Sequence, residues 1–177
     1  MINLQNKVIE FDPFPHILIK NIFDQEFYNQ LIANFPEHKY LKKYSSKHGN
    51  QKHFKYSLSS KNNTDDFKKF IKNNKVYNKL YNYIYSKEFL DTFLEYLKEN
   101  HFNLGIVSKD FNIKKDIFTT IKSILKFALN NKKSEISISF EFSSMPTDDG
   151  QLKPHTDSPK KFLSIVIPII DKNWESR

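Results

Sequence analysis

The clearest chemical signal in this chain is a histidine and an aspartate two residues apart, His155 and Asp157, in the string Pro154-His155-Thr156-Asp157-Ser158. On an extended strand, residues i and i+2 point to the same side, so these two side chains can converge on one ion. Imidazole and carboxylate are the ligand types of facial-triad iron sites, which keep positions open for substrate and oxygen. Because His-x-Asp is a short pattern that also arises by chance, the alternative is a surface pair hydrogen-bonded within a turn.

Composition restricts what other chemistry the chain offers. There is no cysteine, so disulfides and thiolate metal sites are excluded and any metal must be held by nitrogen and oxygen ligands. Asp148 and Asp149 precede Gly150 without the alternating ligands and distal glutamate of an EF-hand, which favours a turn over a calcium site. Ser158 lacks the Gly-x-Ser-x-Gly setting of a hydrolase nucleophile.

Strands are predicted on both sides of the His-x-Asp element. Residues 134–143 alternate strictly, with Ile136, Ile138, Phe140 and Phe142 on one face, which predicts a half-buried strand. Residues 162–170 form an almost continuous apolar run, which is typical of a strand covered on both sides. Gly150 would permit the turn that leads into the motif.

Helices are predicted earlier in the chain. Asp24 is an N-cap candidate for a helix that Pro36 ends, and Ser86 is a cap candidate for a later one. Apolar spacing predicts further helices after Asp65 and from about Lys114 to Leu129. Before the first helix, prolines interrupt short extended pieces, and residues 38–65 are polar and basic, which predicts a long loop or a mobile lid.

The string from Phe140-Glu141-Phe142 through Gly150 and Pro154-His155-Thr156-Asp157-Ser158 to the apolar run resembles the prolyl-4-hydroxylase-like branch of the Fe(II)/2-oxoglutarate-dependent oxygenases. The opening, Phe14-Pro15-His16-Ile17-Leu18-Ile19, is also similar to that branch, whereas the middle of the chain is not. The resemblance implies an α+β fold, with N-terminal helices packed on a partial double-stranded β-helix of the jelly-roll or cupin kind. It implies one oxygenase domain over residues 1–177, a hydroxylase activity, Fe(II) as metal and 2-oxoglutarate as cosubstrate, with His155 and Asp157 as metal ligands and no further catalytic residue assigned.

The sequence departs from the family pattern after Asp157. The family's third ligand is a second histidine several strands downstream, followed by a basic residue that pairs with 2-oxoglutarate, yet none of the six histidines follows Asp157. Arg177 comes too early to take the cosubstrate role. The expectation is therefore a domain that lacks the last part of its site, as a shortened chain or one completed by an oligomer or a partner chain. Of the upstream histidines, His16 is expected to be a structural hydrogen-bonding residue and His53 a solvated loop residue.

Charge and hydropathy bear on partners and location. The net charge of +8 suggests nucleic acid, but Arg177 is the only arginine and the lysines are scattered among asparagines, so a coding bias is the preferred explanation. No run approaches a membrane span and no secretory signal opens the chain, so a cytoplasmic protein with no membrane partner is expected. The charge pattern disfavours a nucleic-acid partner, and a basic nucleic-acid-binding module stays open as a third alternative. The rival to the enzyme is a non-catalytic remnant acting as a protein-interaction module. The substrate, whether a small molecule or a protein side chain, is not indicated.

Overall fold

A computed structural model describes residues 2–4, 7–12, 16–48, 51–100, 111–114, 134–145 and 163–170. Over these residues the protein is mixed α+β, with four α-helices, two small antiparallel sheets and one parallel strand pair. The elements in chain order are β1 (Lys7–Glu10), β2 (His16–Ile19), α1 (Gln25–Ala33), a 3-10 turn (His38–Tyr40), β3 (Lys42–His48), β4 (Gln51–Ser59), α2 (Thr64–Asn73), α3 (Lys75–Ile84), α4 (Lys87–Glu99), β5 (Phe111–Lys114), β6 (Ser134–Ser137) and β7 (Glu141–Ser144).

The chain forms two compact units, one of residues 1–35 with 166–177 and the other of residues 36–165. In the first unit β1 and β2 pair antiparallel, with Lys7 opposite Ile19 and Glu10 opposite His16. The α1 helix follows and buries Phe27 and Leu31, which are four residues apart and share one helix face.

The second unit is built around a three-stranded antiparallel sheet in the order β3-β4-β7. One face of this sheet carries Leu58 opposite Phe142, both buried. The helices α2 and α3 bury Phe67, Ile71, Tyr77, Leu80 and Tyr81. The apolar core of this unit thus lies between the sheet and its helices.

Local capping explains where three of the helices begin. The Asp24 carboxylate accepts a hydrogen bond from the Phe27 amide at 2.7 Å, the Asn74 side chain accepts from Tyr77 at 3.1 Å, and the Ser86 hydroxyl accepts from Phe89 at 3.1 Å. Each side chain satisfies an amide that has no partner inside its helix. The predicted caps at Asp24 and Ser86 are therefore confirmed.

The prediction of a loop or lid over residues 38–65 is wrong. Most of this segment is the β3–β4 hairpin, in which Lys42 lies opposite Ser57 and His48 lies opposite Gln51. The two strands carry mostly polar side chains, so the apolar alternation that marks a strand is missing from this part of the sequence. Backbone pairing, which is indifferent to side-chain polarity, holds the two strands together.

The predicted strand over residues 134–143 is interrupted. It consists of β6, which pairs parallel with β5, and β7, which pairs antiparallel with β4. Between them, the Ile138 carbonyl accepts a hydrogen bond from the Tyr85 hydroxyl at 2.7 Å, and the Phe140 amide donates to the Ser60 hydroxyl at 3.0 Å. Tyr85 and Ser60 lie just beyond α3 and β4, and the Phe140 carbonyl also accepts a hydrogen bond from the Ser60 amide at 2.9 Å, so the chain leaves β6 and joins the edge of β4.

Two other predictions meet the structure only in part. Lys114, placed at the start of a helix, is the last residue of β5, and residues 115–133 lie outside the described part of the chain. The apolar run predicted as a doubly covered strand is described from Leu163 to Ile170, where it has no strand and is largely exposed, Val166 to 84%. A run of β-branched residues forms a strand only where a neighbouring strand accepts its hydrogen bonds, and none of the described strands pairs with it.

Candidate metal centre

The two predicted metal ligands, His155 and Asp157, lie outside the described residues, as does Gly150. Described residues end at Met145 before the motif and resume at Leu163 after it. The structure therefore shows how the two flanks of the motif are held, each within its own unit, and it leaves the arrangement of the ligands a prediction.

The upstream flank, β7, is fixed to the second unit by aromatic packing. Phe142 is buried, with only 4% of its surface exposed, and its ring centroid lies 4.8 Å from that of Tyr77 and 5.2 Å from that of Phe70, both edge-on. The rings of Phe67 and Phe140 lie 6.2 and 5.2 Å away. Edge-to-face aromatic pairs of this kind add to the stabilisation that burial alone gives.

Polar contacts on the other face of the sheet hold β7 in register. The Glu141 carboxylate forms an ion pair with Lys55 of β4 and accepts a hydrogen bond from the Ser143 hydroxyl. Because residues opposite each other on antiparallel strands share a face, Ser59 and Ser143 lie on the Glu141 side and Leu58 on the Phe142 side. A register slip of one residue would bury Glu141 and expose Phe142.

The downstream flank is held by one tyrosine of α1. The Tyr28 hydroxyl donates a hydrogen bond to the Pro168 carbonyl at 3.1 Å and accepts one from the Ile170 amide at 3.2 Å. A single hydroxyl thus serves both a carbonyl and an amide of a segment that has no strand partner among the described residues. Sequence reasoning missed Tyr28, because it lies 140 residues from Pro168 and nothing in the local pattern distinguishes it.

The histidines considered as a third ligand are engaged elsewhere where their side chains are described. His16 Nε2 lies 3.2 Å from a Glu10 carboxylate oxygen on the paired strand, a contact between two partly exposed side chains. The His38 ring packs on that of Tyr56, with centroids 4.2 Å apart. His48 and His53 belong to β3 and β4, which corrects the placement of His53 in a loop.

Within the described ranges, no three histidine, aspartate or glutamate side chains lie close enough to hold a metal ion. In the same ranges, no helix is long and apolar enough to cross a membrane. Both statements concern the described residues, and the His-x-Asp element is outside them.

Comparison of the chain with protein-family models, with curated proteins and with solved structures gave no match. The class of protein therefore has to be argued from the motif and its flanks.

Proposed function

We propose that this chain is an Fe(II)- and 2-oxoglutarate-dependent oxygenase domain in which His155 and Asp157 bind the iron. The observation that carries the proposal is the pairing of an imidazole and a carboxylate at i and i+2, which suits one ion on an extended segment. The β7 strand, which precedes the motif and is anchored within its own unit, supports the proposal, since the ligands of such a site require a well-supported backbone.

The finer fold that accompanies the proposal is a double-stranded β-helix, of which the β3-β4-β7 sheet would be one part. An iron centre with 2-oxoglutarate supplies oxidative decarboxylation of the cosubstrate coupled to hydroxylation of a substrate C–H bond. The contribution of the protein is to hold the two donors at fixed separation and to exclude water from them. A third protein ligand would come from residues outside the described ranges or from a second chain.

The test is anaerobic titration of the full chain with Fe(II) and then 2-oxoglutarate, following the visible charge-transfer band of the chelated cosubstrate. We expect the band in the parent chain and its loss in His155→Ala and in Asp157→Ala. His16→Ala and His38→Ala are the matched controls, because each removes an imidazole that has another contact, and both should keep the band.

Circular dichroism of each variant separates a lost ligand from a lost fold. Iron affinity unchanged in both His155→Ala and Asp157→Ala, with folds intact, refutes the proposal. Loss of the band in the control variants as well would show that the band does not report on this motif.

A second candidate function, a non-catalytic protein-interaction module, is favoured by a different observation. Leu163, Ile165, Val166 and Ile170 are exposed in a segment that has no strand partner among the described residues. Exposed apolar patches commonly mark contact surfaces. If the chain has this function, sedimentation should show an oligomer or a complex without bound metal, and Val166→Asp should dissociate it. A monomeric chain that binds Fe(II) would contradict this function.

A further inference from the structure

The second unit carries a stretch of positive charge that the sequence as a whole obscures. Between Asp66 and Glu88 the chain contains six lysines and no acidic residue. This stretch covers most of α2, all of α3 and the first residue of α4. The lysines are scattered over the chain, but the acidic residues that would balance them are missing here.

Four of these lysines, Lys68, Lys69, Lys72 and Lys75, define what we term the lysine surface. Lys69, Lys72 and Lys75 are exposed and Lys68 is half-buried. The apolar side of each helix is turned inward, with Phe67 and Ile71 of α2 and Tyr77 of α3 in the core. The lysines therefore occupy helix positions left to solvent.

The four lysines lie on two helices that are joined directly to each other. Asn74 is both the last cap of α2 and the first cap of α3, so Lys72 and Lys75 are only three residues apart across the junction. The Asn78 side-chain amide donates to the Ile71 carbonyl at 3.3 Å and joins the start of α3 to the last turn of α2. This hydrogen bond and the shared cap connect the two helix segments that carry the four lysines.

None of the four lysines forms an ion pair with a carboxylate of the described residues. The ion pairs found there use Lys39, Lys42 and Lys55, and a fourth joins His16 to Glu10. Asp66, the acidic residue nearest to the lysine surface in sequence, is engaged by Lys42 of β3. Asp65, the other carboxylate in the first turn of α2, forms no ion pair with the four lysines either, so they have no direct carboxylate partner among the described residues.

We infer that the lysine surface binds the phosphate backbone of nucleic acid without reading its sequence. Lysine ammonium groups neutralise phosphates as point charges, and contacts to phosphate carry no sequence information. Exposed asparagines on the same helices, Asn73 and Asn82, add hydrogen-bond donors for phosphate and sugar oxygens. The inference does not depend on the proposed iron site.

An anionic membrane fits the lysine surface less well. A helix that binds at a membrane interface presents an apolar face to the acyl chains, whereas the apolar faces of α2 and α3 are buried in the core. None of the large exposed apolar side chains of the described residues falls between residues 60 and 100. The lysine surface therefore carries charge without an exposed apolar face, which favours nucleic acid over a membrane as its partner.

The experiment measures binding of the full chain to a labelled short duplex and to the corresponding single strand by fluorescence anisotropy, between about 50 and 200 mM salt. With four phosphates neutralised, the affinity should fall about 150-fold over this range for duplex and about 50-fold for single strand. The quadruple variant K68Q/K69Q/K72Q/K75Q should lose most of the binding and most of its salt dependence.

The matched control removes four lysines from other elements, K20Q/K39Q/K43Q/K98Q, and so has the same net charge as the patch variant. It should keep the salt dependence of the parent chain. Circular dichroism verifies that both variants are folded. At the four patch positions, which all lie in α2 and α3, glutamine is a good helix former.

Three outcomes overturn the inference. The first is a patch variant that binds nucleic acid as tightly as the parent chain does. The second is a control variant that loses as much affinity as the patch variant, which would indicate that only the net charge matters. The third is binding to phosphatidylserine-containing vesicles with none to nucleic acid. Iron binding by the patch variant is measured on the same sample. Because the four lysines are not part of the proposed metal site, a loss of nucleic-acid binding with unchanged iron binding is distinguishable from a failure of that site.

Discussion

Replacing Phe142 by alanine tests the packing that fixes the upstream flank of the candidate metal centre. The ring is almost completely buried and lies within 6.2 Å of four other aromatic rings, measured between centroids. Truncation of a buried phenylalanine removes its transfer free energy and leaves a cavity, at a cost of about 3–5 kcal/mol. We expect the upper part of that range, because the surrounding rings are themselves packed together and have little freedom to collapse into the space.

This loss is large compared with the total stability of a domain, which is commonly about 5–15 kcal/mol. Urea unfolding followed by circular dichroism measures it, and with an m-value near 2 kcal/mol per molar the midpoint should fall by about 2 M. Phe142→Leu keeps an apolar side chain but loses the ring contacts, so it should cost only about 1–2 kcal/mol.

Phe11→Ala is the matched control, since Phe11 is 65% exposed. Substitutions at such surface positions usually change the unfolding free energy by no more than about 0.5 kcal/mol. A loss below about 1 kcal/mol in Phe142→Ala, or equal losses in the two alanine variants, would refute the assignment of Phe142 to the core.

Tyr28→Phe should raise the hydrogen-exchange rate of the Ile170 amide, because that amide loses its acceptor, while global stability changes by less than about 1 kcal/mol. An unchanged exchange rate would contradict the hydrogen bond between Tyr28 and Ile170. Ser86→Ala should lower the unfolding free energy by about 1 kcal/mol through loss of the α4 cap, with Ser86→Thr as the conservative control that retains most of it; equal losses in both would argue against capping. Burial raises the pKa of the Tyr96 hydroxyl, so above pH about 10 the folded chain binds more protons than the unfolded chain and the unfolding free energy falls as pH rises. Tyr96→Phe should reduce that fall in alkaline urea titrations, and an unchanged pH profile would count against the shift.

Local signals in the sequence predicted the parts of the fold that are locally determined. A cap needs one side chain and an amide three residues on, so Asp24 and Ser86 were recognisable without knowledge of the tertiary structure. The helix α3 was not separated from α2, although Asn74 supplies its cap in the same way. That signal was available in the sequence.

Elements without apolar alternation, and elements that depend on distant partners, were predicted less well. The β3–β4 hairpin has polar strands, and its main sequence signal is the Gly49-Asn50 pair between them, a dipeptide typical of two-residue turns. The apolar run at 163–170 has the composition of a buried strand, but strand formation also requires a neighbour. The composition of the run cannot supply that information.

At the candidate metal centre, the sequence predicted the ligands but not the contacts that hold the segments on either side of them. Residue types and spacing nominate His155 and Asp157, and the alternation of Phe140 and Phe142 predicted the strand that precedes them. What fixes the flanks is Tyr28 on one side and Lys55 with the aromatic rings on the other. These contacts join residues far apart in the chain, so only the folded structure identifies them.

The order of strands in the β3-β4-β7 sheet has a consequence for the protein during its synthesis. The contact between Ser60 and Phe140, which lies where β4 and β7 begin to pair, spans 80 residues of chain. At about 5–20 residues per second, a ribosome needs about 4–16 s to extend the chain from one partner to the other. Throughout that interval β4 has an open edge and the aromatic side chains of α2 and α3 lack Phe142. The nascent chain is therefore open to pairing with other chains in this period, and a chaperone that covers the β4 edge would act in this interval.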